Sequence, residues 1–107
     1  MTVNLLRIGA PIDGNETETF EDLLSRPGLR IERIVSRGHV TPAERPYVQN
    51  WDEWVLVLHG QARLLMEEGS EHVLETGACL LIPAGTPHWV TYTADPTIWL
   101  AIHIGQG

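Results

Sequence analysis

The 107-residue sequence contains one cysteine, few basic residues and no long apolar run. A single cysteine, Cys79, excludes an internal disulfide and is typical of a reducing compartment. No window approaches the roughly 18 consecutive apolar residues of a membrane-spanning helix. The short stretch Val3–Leu6 is ended by Arg7, which leaves it too short for the core of a signal peptide. We therefore expect a soluble protein of the cytoplasm.

Basic residues are scarce relative to acidic ones. Seven Lys plus Arg stand against fourteen Asp plus Glu, which gives a formal net charge of −7. Such a surface repels phosphate backbones and anionic lipids, so we expect neither nucleic acid nor membrane as a partner. Hydrophobic residues make up 43% and charged residues 20% of the chain, as in an ordinary globular domain. The length predicts a single domain over residues 1–107, with no room for a separate cofactor domain.

Residues 1–28 predict an N-terminal arm followed by a short helix. Thr17 or Asn15 is placed to cap that helix. Three apolar residues follow at the spacing i, i+3, i+4 and would form one stripe along it: Phe20, Leu23 and Leu24. Pro27 and Gly28 would end the helix. We expect this short helix to cover one end of the core.

Residues 29–107 predict an all-β barrel. Short runs typical of strands alternate with turn residues such as Gly60, Gly77 and Pro96. The predicted strands are Leu29–Val35, Trp54–Leu58, Ala62–Glu67, His72–Glu75, Cys79–Ile82, His88–Thr93 and Ile98–Ile104. Short strands at this spacing, with almost no helix, indicate an antiparallel sandwich or barrel.

The segment Gly77–His88 carries the most specific pattern. A buried strand leads into a turn in which Pro83 fixes φ and Gly85 permits an unusual backbone angle. The turn delivers His88 to the start of the next strand. A histidine held there can serve as a ligand or as an acid–base group, or it can simply hydrogen-bond the backbone.

These residues resemble the second conserved box of the cupin superfamily, since Gly77, Pro83, Gly85 and His88 fit its spacing. Tyr92 stands where the family has asparagine. The resemblance covers about residues 36–104 and implies a double-stranded β-helix, or jelly-roll barrel. The chain is similar to small single-domain bacterial cupins.

The first cupin box is degenerate in this chain. Glu53 and Gly60 keep the family's spacing, whereas Tyr47 and Gln49 occupy the two histidine positions. The resemblance implies a divalent transition metal (Fe, Mn, Ni or Zn) inside the barrel. Carried over by position, Glu53 and His88 would be ligands, and Gln49 would offer only a neutral amide, a weak substitute for imidazole.

His103 could restore a lost imidazole ligand. It lies on the last predicted strand in phase with Trp99 and Ala101, so it would face the cavity if that face points inward. His39 is a second candidate. On this interpretation the protein is a metal-binding small-molecule cupin, an oxygenase or an isomerase, with Tyr92 or Tyr47 moving a proton.

The alternative is a metal-free cavity that binds or senses a small molecule without catalysis. Gln49, Glu53, His88 and Tyr92 would then form a polar cluster satisfied by a ligand. His88 and Tyr92 are four residues apart on one predicted strand, so they should share a face. Whether the protein is an enzyme stays open on the sequence alone.

The strand around Trp54 has an apolar outer face. Trp54, Leu56 and Leu58 alternate with Glu53, so they should point away from the cavity. Such a row needs a cover, either the N-terminal arm or a second subunit, and we expect a homodimer. Trp51 and Trp89 are candidates for the rim of the pocket, and we expect Cys79 to be a buried thiol.

Overall fold

The computed structural model describes residues 2–10 and 17–105, and these contain eight β-strands and no helix. The strands are β1 (Glu18–Arg26), β2 (Leu29–Ser36), β3 (Asp52–His59), β4 (Gln61–Met66), β5 (Glu71–Glu75), β6 (Cys79–Ile82), β7 (His88–Thr93) and β8 (Thr97–Ile104). The seven strands predicted from Leu29 onward are confirmed as β2–β8, with the bounds of β6 and β7 as predicted.

The strands form two antiparallel sheets, as in a jelly-roll barrel. One sheet has the order β1-β2-β8-β3-β6 and the other has the order β5-β4-β7. The core lies between them, since its buried side chains come from both sheets, including Val57 and Trp99 from the first and Leu64 and Val90 from the second. Alternation within each strand therefore decides which residues enter the barrel.

The predicted N-terminal helix is wrong. Glu18–Arg26 is instead strand β1, paired with β2 from Glu18↔Ser36 to Arg26↔Leu29 around the turn at Pro27-Gly28. A bulge between Asp22 and Leu24 shifts the register, so apolar residues spaced for a helix also fit a bulged strand. The residue Asn15, named as a cap, lies outside the described residues.

The N-terminal arm crosses the outer face of β2. Arg33 donates hydrogen bonds to the carbonyl oxygens of Leu5 and Arg7, and Arg37 donates to that of Gly9 at 2.7 Å. The outer residues of β3 are half-buried without any described partner chain, so a covering second subunit stays a prediction. Cys79, expected to be buried, is exposed on the short strand β6.

Over residues 2–10 and 17–105, no helix has the length and apolar character needed to cross a membrane.

The β3–β4 turn gives a stability test at Gly60. Its φ is +94°, and a Cβ there would lie 2.8 Å from Pro96 O. Gly69 has a similar φ of +95°, but a Cβ there would meet nothing within 4 Å. Both alanine variants carry backbone strain, and only Gly60→Ala adds a clash. Measured by urea unfolding, the free energy of unfolding should fall by about 1–3 kcal/mol more in Gly60→Ala than in Gly69→Ala. Equal losses would contradict this packing.

Candidate functional site

A cavity of about 490 Å³ opens inside the barrel. This volume is in the range of small-molecule sites in proteins. Its apolar wall includes Ile34, Val55, Leu64, Ile82 and Val90. Its polar side chains are Glu18, Asp22, Arg30, Glu32, Tyr47, Gln49, Glu53, His88 and His103.

His88 presents one free ring nitrogen to this cavity. The residue is only 3% exposed, at the start of β7, where it forms a backbone bridge with Tyr47. Its Nδ1 lies 2.9 Å from the carbonyl oxygen of Thr86. Because a carbonyl only accepts, Nδ1 carries the ring proton and Nε2 keeps its lone pair. No residue in the described part of the chain hydrogen-bonds Nε2, so this atom can accept a bond from a ligand.

His103 has the opposite tautomer. Trp51 Nε1, which can only donate, lies 2.7 Å from His103 Nδ1. Nδ1 therefore accepts, and the proton of the neutral ring is on Nε2, from which it is donated to Glu32 Oε1 at 2.7 Å. All three side chains line the cavity. Trp51 thus fixes the direction in which His103 donates.

The sheet register brings His103 beside two further charged residues. On the central strand β8, His103 is paired with Arg30 of β2 on one side and with Glu53 of β3 on the other. Glu53 is buried, and its Oε1 accepts a hydrogen bond of 2.5 Å from the amide of Gln49. Glu32, Glu53 and His103 offer ligand atoms that lie within 4.8 Å of one another.

Tyr47 lies at the mouth of the cavity as a neutral phenol. Its hydroxyl donates to Glu18 Oε1 at 2.9 Å and lies 3.2 Å from Nε2 of His39. Burial raises the pKa of Tyr47 well above that of an ordinary tyrosine, and the charge and hydrogen bond of Glu18 raise it further. His39 contacts Tyr47 and Thr17 but is not among the residues that line the cavity.

Tyr92 does not share the face of His88, contrary to the prediction. A bulge between Arg63 and Leu64 of β4 makes Tyr92 pair with Arg63, whereas Val90 pairs with Leu64. The irregular pairing turns Tyr92 outward, so the side chain is 43% exposed and lies under the Arg63 guanidinium. Tyr92 is therefore outside the cavity, where a catalytic role has no geometric support.

Four charged residues of the site were not predicted, Glu18 and Asp22 on β1 and Arg30 and Glu32 on β2. Arg30 and Glu32 alternate with the core residue Ile34 along β2, so these three side chains point into the barrel. This alternation is the signal in the sequence that could have found them. Of the two tryptophans proposed for the rim, Trp51 lines the cavity, while Trp89 donates to the carbonyl oxygen of Ala43 and does not line it.

The residues at the family's ligand positions do not fit a resident transition metal. Tyr47 keeps its proton and is hydrogen-bonded to Glu18. Gln49 directs its amide nitrogen, which cannot coordinate an ion, toward Glu53. His88 does not join the group formed by Glu53, Glu32 and His103.

The ligand atoms of Glu32, Glu53 and His103 are close enough together to bind a metal ion, but the ring proton of His103 is on the wrong nitrogen. An ion bound to His103 Nε2 would move the ring proton to Nδ1, where it would face the N–H of Trp51. Metal-binding histidines instead donate their second N–H to an acceptor. In this hydrogen-bonded arrangement His103 is a proton donor to Glu32, so binding a metal would require this bond to break, and its role as a metal ligand stays a prediction.

Comparisons with known proteins identify related chains. The family described as "Cupin domain" matches residues 35–103. The solved structure of a "putative mannose-6-phosphate isomerase" from Ralstonia eutropha JMP134 is 37% identical, with a TM-score of 0.88 and 97% of each chain covered. A search of the curated proteins finds no match.

Two more distant structures share the fold alone. KdgF from a Halomonas species is 16% identical, with a TM-score of 0.77, and 98% of this chain and 94% of that chain are covered. The DMSP lyase DddQ from Ruegeria pomeroyi DSS-3 is 19% identical, with a TM-score of 0.74. In that comparison 98% of this chain is covered but only 55% of the lyase chain.

The two buried histidines should show opposite tautomers in solution. Long-range ¹H–¹⁵N NMR spectra at neutral pH should place the proton of His88 on Nδ1 and that of His103 on Nε2. Trp51→Phe removes the donor that faces His103 Nδ1, so the ¹⁵N resonance of that atom alone should move toward that of a free lone pair, while Glu32 keeps the ring proton on Nε2. Trp54→Phe, on the outer face of β3, is the control and should change neither ring. A proton on Nδ1 of His103 in the native protein would refute the assignment.

The tyrosine at the cavity mouth should resist ionisation. In Tyr92→Phe protein Tyr47 is the one tyrosine left, because the chain has two. Since burial and Glu18 raise its pKa, the phenolate absorbance should stay below half its final value at about pH 11, one unit above an ordinary tyrosine. Circular dichroism at each pH checks that the chain stays folded. A midpoint near pH 10 in the folded protein is the result that would count against a buried, Glu18-bonded phenol.

Proposed function

The chain belongs to the cupin family, and on that premise we propose that its barrel cavity binds a small molecule by hydrogen bonds, without a resident metal ion. The observation that carries this proposal is the free Nε2 of His88. It is an acceptor on a buried residue that lines a cavity of ligand size, and no described residue bonds it. A ligand in the cavity would supply the partner that this acceptor lacks within the protein.

The chemistry that these residues support is proton transfer, as in an isomerase. His88 Nε2 can accept a proton from a bound molecule while its Nδ1–H stays hydrogen-bonded to Thr86, which stabilises the charged ring. Glu53 is a second acceptor in the same cavity, and the His103 Nε2–H would serve as the donor by exchanging Glu32 for the ligand. To move a proton between two atoms of a ligand, a site needs a base that removes the proton and an acid that returns one.

Metal-dependent catalysis, including an oxygenase reaction, is the second candidate. It is favoured by the two buried carboxylates of Glu32 and Glu53, which lie within 4.8 Å of each other and of His103. Carboxylates and imidazoles are ligands of divalent transition metals. Binding at this group would require His103 to lose its Nε2 proton and Trp51 to move away from Nδ1.

The proposal includes a homodimer formed through the apolar outer face of the larger sheet. Leu81 of β6 is half exposed there, beside the half-buried Trp54, its partner in the sheet. The arm's described hydrogen bonds to the sheet are made with Arg33 and Arg37 rather than with this row. The cytoplasmic location stays a prediction.

Metal counting separates the two candidate functions. Untagged protein, before and after incubation with Fe, Mn, Ni or Zn and desalting, is measured by mass spectrometry of the metals. We expect well under one ion per chain in every case, with no change in Glu53→Gln or His88→Ala. Near-stoichiometric metal in the native protein that is lost in Glu53→Gln would support the metal-dependent candidate instead.

Ligand binding tests the cavity directly. A library of small metabolites is screened by thermal shift, and the hits are measured by calorimetry. Because His88 Nε2 accepts a bond from the ligand, His88→Ala should weaken binding about tenfold. His59→Ala, which removes an exposed histidine outside the cavity, should leave binding unchanged. Hits that bind His88→Ala as tightly as the native protein would place the ligand elsewhere.

A further inference from the structure

Apart from Arg30, whose Nε is buried without a hydrogen-bond partner in the described residues, the side chains that line the cavity donate most of their N–H and O–H groups to protein atoms. Indole N–H groups are engaged in two cases, from Trp51 to His103 and from Trp99 to Ser36. Four other donors also form hydrogen bonds within the protein. The Tyr47 hydroxyl donates to Glu18, and an amide N–H of Gln49 donates to Glu53. The His103 Nε2–H donates to Glu32, and the His88 Nδ1–H donates to the carbonyl oxygen of Thr86. Outside the Arg30 guanidinium, a ligand in the cavity therefore meets few free donors.

Acceptors, in contrast, remain available. His88 Nε2 and Glu53 Oε2 have no hydrogen-bond partner in the described part of the chain, and Glu32 Oε2 meets Arg30 only at the long distance of 3.6 Å. His88 is buried and lines the cavity. A ligand satisfies these atoms only if it brings its own N–H or O–H donors.

The charge of the lining favours a cationic ligand. Four carboxylates, those of Glu18, Asp22, Glu32 and Glu53, line the cavity with one guanidinium, Arg30. With histidines neutral, the formal excess is three negative charges. Arg30 itself faces Asp22 at 3.7 Å and Glu32 at 3.6 Å, so its charge is directed at protein carboxylates. Uncompensated negative charge in a partly buried site is unfavourable, and a bound cation would relieve it.

Aromatic surface completes the lining. Phe20, Trp51 and Trp99 all border the cavity, and the N–H groups of both tryptophans are engaged by protein atoms. Aromatic faces attract cations and pack well against apolar groups. The cavity thus combines acceptors, negative charge and aromatic surface.

We propose that the ligand of this cavity is a small organic cation, a primary ammonium compound with an apolar body. This inference rests on the proposed function, because it names the class of molecule that the same cavity would bind. An ammonium group supplies three donors and one positive charge, to be shared by Glu53 and Glu32, whose ligand oxygens lie within 4.8 Å of each other. A phosphate ester would need several donors and would meet the excess of carboxylates.

The proposed ammonium ligand is tested by calorimetry with the full chain at pH 7 and low salt. The three probes share a benzene ring and differ in the polar group: benzylammonium, benzyl alcohol and benzoate. A charge-assisted hydrogen bond exceeds a neutral one by about 1 kcal/mol or more, so benzylammonium should bind about tenfold more tightly than benzyl alcohol. Benzoate should not bind. Equal binding of the alcohol, or tighter binding of benzoate, would overturn the proposal.

Two Glu→Gln variants test whether the preference for benzylammonium arises from the carboxylates of the cavity. Glu53→Gln keeps the shape of the side chain and removes its charge, so it should abolish most of the preference for benzylammonium over benzyl alcohol. Glu67→Gln changes an exposed carboxylate outside the lining and should leave the preference intact. An unchanged preference in Glu53→Gln overturns the proposal.

Two further probes separate this inference from the proposed function. Mn²⁺ and glucose are tested against the native protein in the same buffer. Glucose that binds through His88 while benzylammonium does not would overturn the ammonium class and leave the proposed small-molecule function standing. Stoichiometric Mn²⁺ that is lost in Glu53→Gln, with no binding of benzylammonium, would overturn both.

Discussion

The hydrogen bond from Trp51 Nε1 to His103 Nδ1 fixes the proton arrangement on the charged side of the cavity. Because an indole only donates, this bond assigns the ring proton of His103 to Nε2 and directs it at Glu32. His88 has the reverse arrangement: its Nδ1–H donates to the Thr86 carbonyl oxygen, and Nε2 keeps a lone pair that no described residue engages. One buried imidazole is therefore a donor to a protein carboxylate and the other an acceptor open to a ligand. Backbone register places both on the inner face of the barrel.

The fold was predictable from the sequence wherever side-chain alternation and turn residues agree. The strands from Leu29 onward satisfy this condition, and the spacing in Gly77–His88 indicated the family. The N-terminal strand was not predictable in this way. Phe20, Leu23 and Leu24 have a spacing that suits a helix, and the pairing of β1 with β2, together with the bulge after Asp22, makes the strand. Such pairing is a tertiary interaction that local propensity does not contain.

The site was predictable where family position or strand phase fixes a side chain. Glu53, Gln49, Tyr47, His88 and His103 all line the cavity, although their chemical roles stay predictions. Glu32 was missed because nothing in its local sequence separates it from a surface glutamate until the inward face of β2 is known. Tyr92 was misplaced because a bulge in the β4–β7 pairing changes strand phase, and no residue type marks that bulge in the sequence.

We propose that hydrogen bonds, rather than a metal ion, organise the charged side of this cavity. A crystal structure of protein soaked in Mn²⁺, with anomalous diffraction data, distinguishes the two arrangements. We expect an indole nitrogen of Trp51 still within hydrogen-bond distance of His103 Nδ1, and no anomalous peak among Glu32, Glu53 and His103. A strong peak coordinated by those three side chains, with the indole displaced, would contradict it.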